Sequence, residues 1–486
     1  MWKITFPSRT YFKLTILFIW IFLFIILLKR DFFIDTLDVS QLQAIEQATS
    51  EEYQAILFKN KKIGYVVNIY HPGPDNTQLL EQKAKMNLNI ADTVHSIDLQ
   101  LRATLTADNR LIDFDFSFKS PFYTMIATGK VVGKAVHYEL TTGTNIVKDI
   151  IQFKTTPMLA TSRRTYLLTS GIQEGDKKRI PWFDPFSLTG KESILEYKGK
   201  EPVLINGRVH NLHKFTESFS GARVNSWLND RGIVVKEESP AGFVFLREPK
   251  FKALNGLERG DEILSAVSVK LQGKIDTISQ ESMQYRLTLP EGADLDLEGG
   301  RQSFKNNILT ITGEQIPEQT SPATCPQADD ALLPSPYVQS DHTEIKKTAL
   351  KVTGGAATPL EKTKQISDWI YKNLDKRPVL GLPDALTTLN SKQGDCNEHA
   401  VLFAALARSA GIPTRIAAGV TLNRGAFYYH AWNEVCLGSK WISVDSTTNQ
   451  FPADLAHIRF ILGEMQEQVR IGGLLGKLAI EPIPRP

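Results

Sequence analysis

The stretch GDCNEHAVLFAALARSAGIPTR, from Gly394 to Arg415, decides the fold of the C-terminal part of the chain. Asp395 is a favourable N-cap, so the pattern predicts a helix that begins at Cys396 and is ended by Gly411 and Pro413. A thiol in the first helical turn lies at the positive end of the helix dipole, beside backbone N–H groups that lack intrahelical partners. Such groups lower a thiol pKa and can donate to an oxyanion. Cys396 is therefore a candidate nucleophile, with an inert buried cysteine as the alternative.

A second stretch, FYYHAWNEVCLGSKWISVDSTT, predicts two strands joined by a two-residue hairpin loop at Gly438-Ser439. If Leu437 faces Lys440, His430 and Asp445 lie diagonally on one face of the sheet, with Cα atoms roughly 7–8 Å apart. A carboxylate at that distance can hold one ring nitrogen of the histidine while the other nitrogen faces a thiol. Spacing alone does not bring Cys396 to this face.

These blocks resemble the transglutaminase-like superfamily, specifically its bacterial members related to papain-type thiol enzymes. The motifs are GDCNEHA at 394–400, RSAGIPTR at 408–415, HAWNE at 430–434 and WISVDST at 441–447. The resemblance implies an α+β, papain-like domain with Cys396 as the nucleophile, His430 as the general base and Asp445 as the residue that orients the imidazole. One departure is Ser446, where the family pattern commonly has proline.

The N-terminus predicts a membrane anchor at residues 1–30. From Leu14 to Leu28 every residue except Thr15 is apolar, which is typical of a short transmembrane helix. A signal peptide and a buried core helix are the alternatives, but charged residues follow Leu28 instead of a small-residue cleavage site. The balance of Lys and Arg slightly favours a cytoplasmic N-terminus. We therefore expect a single-pass inner-membrane protein, with the lipid bilayer as a partner and most of the chain in the periplasm.

The remaining pattern predicts a multidomain chain. Alternating apolar and polar residues indicate an antiparallel β-rich extracytoplasmic domain at 31–250, followed by a small β module at 251–316. Residues 317–338 are rich in Pro, Ser, Thr and Gln and predict a linker. Helical spacing after it places the transglutaminase-like catalytic domain at 339–486. The role of the β-rich region and the oligomeric state stay open.

Composition excludes several classes of protein. The 486 residues are 42% hydrophobic and 22% charged, which argues against wholesale disorder, collagen and a polytopic membrane protein. Lys+Arg 56 against Asp+Glu 53 is too balanced for a nucleic-acid-binding protein. Three cysteines exclude a disulfide scaffold. A disulfide from Cys436 to either Cys325 or Cys396 is possible, and the first would leave Cys396 free.

We expect neither a metal nor another cofactor. Cys396, His399 and His430 could suggest zinc, but no second cysteine pair or HExxH motif accompanies them. The predicted function is cleavage or transfer at amide bonds of a protein or peptide-like substrate through an acyl-enzyme. Water as the acceptor makes a peptidase or amidase, and an amine makes a transglutaminase. The competing hypothesis is a non-catalytic binding or scaffold protein that uses a retained transglutaminase-like fold.

Overall fold

The computed structural model describes residues 20, 35–36, 50–143, 145–169, 171–219, 221–271, 275, 280–317 and 324–483. The protein is mostly β, with 48% of residues in strands and 18% in helices. The strands form one large sheet and three smaller ones.

The large sheet has 16 strands and is antiparallel except where β1 and β10 pair with β11. Its strands are β1 (Asp35–Thr36), β2 (Ser50–Phe58), β3 (Lys61–Pro72), β4 (Gln78–Ile90), β5 (Thr93–Leu105), β6 (Leu111–Lys119), β7 (Thr124–Val132), β8 (Ala135–Thr142), β9 (Asn145–Gln152), β10 (Met158–Leu159), β11 (Lys177–Asp184), β12 (Thr189–Ile205), β13 (Arg208–Phe219), β14 (Ala222–Leu228), β15 (Val234–Glu238) and β16 (Phe243–Arg247). Two halves join where β16 pairs with β2, so that Phe243 faces Phe58. The short helices along this part of the chain are α1 (Thr165–Thr169), α2 (Lys250–Ala253) and α3 (Ile263–Val267).

The period-two pattern gives this sheet an apolar face. Leu101, Ala103 and Leu105 alternate along β5 and are buried in one core with aromatic residues of β6 and β8. Tyr337 and Leu382 from the C-terminal part of the chain pack into the same core. The large sheet and the C-terminal part therefore share apolar packing.

The C-terminal part surrounds one central helix. Its helices are α4 (Thr343–Thr353), α5 (Pro359–Asn373), α6 (Ala385–Ser391), α7 (Cys396–Ser409) and α8 (Met465–Gln468), with 3-10 turns at Asp330–Leu332 and Val469–Leu474. The sequence indicates one small apolar face on α7, but every residue from Glu398 to Ala407 is buried. The reason is that α4, α5 and α6 pack around it on one side and a β-sheet on the other.

That β-sheet has five strands in the order β17-β24-β23-β26, with β25 added beside β24. A four-stranded sheet has the order β19-β20-β18-β27, and β21 pairs with β22. These strands are β17 (Val269–Lys270), β18 (Ser282–Thr288), β19 (Gln302–Lys305), β20 (Ile308–Thr312), β21 (Asp375–Lys376), β22 (Gln393–Gly394), β23 (Thr414–Asn423), β24 (Ala426–Leu437), β25 (Lys440–Val444), β26 (Ile458–Leu462) and β27 (Ala479–Ile483). The last strand, β27, thus returns to pair with β18.

The predicted fold class and location need correction at the N-terminus. Within the part of the chain that the structure describes, no helix combines the length and the apolar character that crossing a bilayer requires. The longest helix among the described residues, α5, has 15 residues, whereas a crossing takes about 20 apolar residues. This finding contradicts the predicted transmembrane helix and single-pass inner-membrane location. Of the segment Leu14–Leu28 on which they depended, only Trp20 is described, and the rest lies outside the described residues.

Candidate active site

Cys396 begins α7, as the sequence predicts. The side chain of Asp395 accepts a hydrogen bond from the N–H of Asn397 (3.0 Å), and the side chain of Glu398 accepts one from the N–H of Asp395 (2.9 Å). This reciprocal pair is a capping box, which fixes the start of the helix. Cys396 is half-buried at this start and is a free thiol.

The electrostatics of the thiol differ from the prediction. Burial, and then the negative charge of Asp395, raise the pKa of the Cys396 thiol well above its usual value, although the N–H of Ala431 donates to the sulfur. The helix dipole is expected to lower this pKa, but the N-cap of the helix, Asp395, is an acid and brings negative charge to the same end. Burial of the thiol and the charge of Asp395 therefore both favour the protonated form of Cys396.

The hairpin has the predicted register. Leu437 pairs with Lys440, and the ladder continues to Asn433 and Val444, where β25 ends. Beyond that point this edge of β24 has no β25 partner, and the N–H of Ala431 is hydrogen bonded to Cys396 instead. The start of α7 and the strand that carries His430 therefore meet at this edge.

His430 and Asp445 are joined by a hydrogen bond of 2.9 Å between Nε2 and Oδ2. The histidine side chain is 10% exposed and the aspartate is fully buried. The N–H of Thr447 (2.8 Å) and the hydroxyl of Thr448 (2.6 Å) also donate to the Asp445 carboxylate. Burial alone would raise the pKa of Asp445, but hydrogen bonds from His430 and His457 hold it well below its usual value. The structure thus brings the predicted residues Cys396, His430 and Asp445 to one place.

His457 is a neighbour of Asp445 that the sequence analysis does not include among the candidate residues. Its Nε2 lies 3.2 Å from Oδ2 of Asp445, and its Nδ1 lies 2.8 Å from Oδ1 of Asp454. Burial opposes the charged ring, but the two carboxylates outweigh it and raise the pKa of His457. The available signal was the sequence DLAH at 454–457, which places a carboxylate three residues before a histidine and shortly after Asp445.

Two groupings invite a metal interpretation. His430, Asp445 and His457 bring ligand-type atoms within 4.8 Å of one another. Both Nε2 atoms are hydrogen bonded to Oδ2 of Asp445, so we assign the set to a hydrogen-bond network. His399, from the zinc alternative, directs Nδ1 to the carbonyl of Asp395 at 2.7 Å, and burial lowers its pKa. Because a carbonyl only accepts, Nδ1 is the protonated nitrogen of His399.

A charged layer lies on the face of β24 that carries His430. Glu434 accepts from Arg415 (2.5 Å) and from Arg459 (2.9 Å), and all but Arg415 are buried. Burial would raise the pKa of Glu434, but Arg459 and Arg415 lower it. Trp432, on the same face, is 1% exposed and stacks on the His430 ring at 6.3 Å. Glu434 and Trp432 therefore both have partners within the folded domain.

Cys325 and Cys436 form a disulfide, which is one of the two pairings that the sequence allowed. The bond joins positions 111 residues apart and leaves Cys396 as the free cysteine.

We expect the stability contributed by His457 to depend on pH. Its pKa is raised on folding, so its contribution is complete below the unfolded value of about 6.5 and is lost as pH rises through the folded value. The pKa values of Asp445 and Asp454 are lowered, so their contribution is present above about 3.9 and is lost in acid. The difference in unfolding free energy between the wild type and His457→Gln should therefore be larger at pH 5.5 than at pH 9. Urea unfolding at both pH values measures it, and equal differences would contradict the expectation.

Comparisons with known proteins cover part of the chain. Residues 346–446 match the model of the transglutaminase-like superfamily. A segment of 96 residues, 19% of the chain, is 33% identical to an uncharacterized protein of Haemophilus influenzae and covers 26% of it. The chain thus spans about a quarter of the length of this curated relative.

Two solved structures are similar over larger segments. A protein of Cytophaga hutchinsonii named "putative cysteine protease" is 21% identical, covering 42% of this chain and 78% of that one, with a TM-score of 0.29. A β-barrel-like protein of Brucella abortus is 12% identical, covering 42% of this chain and 95% of that one, with a TM-score of 0.32. The match at 346–446 does confirm the resemblance that the motifs indicate, and this segment, which contains Cys396, His430 and Asp445, is a transglutaminase-like domain.

Proposed function

We propose that the protein is a thiol enzyme that hydrolyses amide bonds of peptide-type substrates through a thioester on Cys396. The observation that carries the proposal is the meeting of the α7 start with the His430–Asp445 pair at the open edge of β24. A nucleophile, a base and a group that orients the base are the three parts that such catalysis needs.

In the proposed scheme each group has one role. Nε2 of His430 is bonded to Asp445, which leaves Nδ1 to accept the thiol proton. Sγ of Cys396 then attacks the carbonyl carbon, and the N–H groups of the first turn of α7 are available to the oxyanion. His430 returns the proton to the leaving amine, the C–N bond breaks and the thioester remains. Water, deprotonated by His430, releases the acid and regenerates the thiol.

The protonated thiol makes His430 indispensable in this scheme. Because burial and Asp395 raise the pKa of Cys396, proton transfer has to accompany or precede attack. Asp445, held ionised, stabilises the imidazolium that forms. An amine in place of water would give transglutaminase-type acyl transfer through the same thioester.

We expect an activated ester to trap the acyl-enzyme. Incubation with p-nitrophenyl acetate should release a burst of one p-nitrophenolate per protein chain, and peptide mass mapping should place the acetyl group on Cys396. Cys396→Ala is the matched control and should show no burst, because the other two cysteines are in a disulfide. Acetylation confined to lysines, equal in the two proteins, would contradict the proposal and favour the non-catalytic scaffold.

A further inference from the structure

His457 is a buried histidine beside the proposed base, His430. Its side chain is 1% exposed and its ring lies 5.7 Å from the ring of His430. Asp445 is fully buried between the two histidines, whereas Asp454 is about one-third exposed. His457 therefore connects the interior of the site to a carboxylate near the surface.

The two hydrogen bonds of His457 to carboxylates determine its protonation state. Both of its ring nitrogens lie within hydrogen-bond distance of a carboxylate oxygen. Ionised carboxylates only accept, and a neutral imidazole carries only one N–H, so it can satisfy one of the two. The imidazolium satisfies both, and it balances one of the two negative charges that flank it.

Asp445 is therefore a common hydrogen-bond acceptor for His430 and His457. Its Oδ2 atom accepts from His430, from His457 and from the hydroxyl of Thr448, so its position depends on all three donors. A buried carboxylate with no cation beside it would tend to take up a proton, and it would then hold His430 less firmly. His457 supplies that cation while His430 is neutral.

We infer that His457 is a positioning residue of the proposed catalytic site: a buried imidazolium, bridging Asp454 and Asp445, that keeps Asp445 ionised and directed at His430. The inference rests on the proposed function. It assigns to the segment 454–457 a role that the Cys-His-Asp motif does not include.

Other charged groups near His457 are accounted for. Arg301 donates to the backbone carbonyl of His457 at 2.9 Å and also pairs with Glu314. The Trp432 ring lies edge-on to the imidazole at 5.3 Å and carries no charge. Among the described residues, the titratable side chains that face the ring are thus Asp445, Asp454 and His430.

The test measures how fast the acetyl-enzyme made with p-nitrophenyl acetate is hydrolysed between pH 5 and pH 9. In this step neutral His430 acts as the base that deprotonates water. The Cys396 sulfur carries the acetyl group, so ionisation of the thiol does not contribute to the pH profile. In His457→Gln we expect the plateau rate to fall roughly tenfold, because Asp445 is less well held. The fall in rate on the acid side of the pH profile, here called the acid limb, should also move up by about one pH unit. The reason is that the positive charge of His457 no longer opposes protonation of His430.

Two comparisons separate positioning from packing. Tyr285→Phe removes a hydrogen bond to the carbonyl of Leu455, in the same loop as His457, and should leave the limb unmoved. In an Asp445→Asn background, adding His457→Gln should cost less than about twofold, because His457 acts through Asp445. Equal losses in both backgrounds, or an unmoved limb in His457→Gln, would overturn the inference.

A measurement on the wild type decides the matter if His457→Gln does not fold. NMR of the ¹⁵N-histidine-labelled wild type should show that both ring nitrogens of His457 are protonated at pH 7. Comparison with the Asp454→Asn variant assigns the signal to His457. A neutral ring at that pH would overturn the inference. This result does not depend on turnover, whereas failure of the proposed function would appear as the absence of a Cys396-dependent burst.

Discussion

Replacing His430 with alanine is expected to reduce turnover of an amide substrate by at least the roughly 10²–10⁴-fold that general acid–base catalysis contributes. The effect should approach that of Cys396→Ala, because burial favours the protonated thiol and His430, bonded to Asp445, is the proposed base. The measurement is kcat/KM on a fluorogenic peptide library, after circular dichroism has shown that each variant is folded.

Asp445→Asn is the matched comparison for this prediction. The amide keeps the shape of the side chain but cannot stabilise an imidazolium, so we expect a smaller loss than in His430→Ala. The double variant should be no worse than His430→Ala alone, because Asp445 acts through the histidine that it touches. If the two losses multiplied, Asp445 would act independently of His430 and the proposed division of roles would be wrong.

Replacing Glu434 with alanine is expected to lower the free energy of unfolding by about 3–5 kcal/mol. Glu434 is the carboxylate partner of Arg459, whose guanidinium is buried and otherwise donates to backbone carbonyls of Asp296, Glu298 and Gly299. Removing the carboxylate leaves a buried positive charge without compensation, which costs far more than the net value of the pair. Urea unfolding at pH 7 measures the change.

The control for Glu434 is an exposed ion pair. Glu139 and Lys148 pair on the outside of the large sheet with side chains 42% and 75% exposed. Glu139→Ala should therefore change the unfolding free energy by about 0–1 kcal/mol. A Glu434→Ala effect as small as that of the control would show that solvent reaches Arg459 in the variant and replaces the carboxylate.

Local features of the site could be predicted from the sequence because neighbouring residues determine them. The start of α7 depends on Asp395 and Glu398, within four residues of each other. The pairing of His430 with Asp445 depends on a two-residue loop, which fixes which residues face each other along the hairpin. Neither feature needs information from distant parts of the chain.

Features set by tertiary packing could not be predicted in the same way. His457 reaches Asp445 because β26, which begins one residue later, pairs with β23 across the sheet. The sign of the Cys396 pKa shift depends on burial by elements far along the chain and on the charge of Asp395. The pairing of β16 with β2 joins residues almost two hundred positions apart, and no turn signal specifies it.

The packing of Tyr337 and Leu382 into the core of the large sheet, together with the return of β27 to β18, limits how the gene can be divided. A fragment that begins at residue 339 would contain the transglutaminase-like segment, but it would carry β27 without its partner and Leu382 without its pocket. The complementary fragment, which ends at residue 338, would lack Leu382 in the core of the large sheet and β27 beside β18. Truncation at the end of the predicted linker therefore cuts through packing that spans both parts, and full-length protein is the form to express.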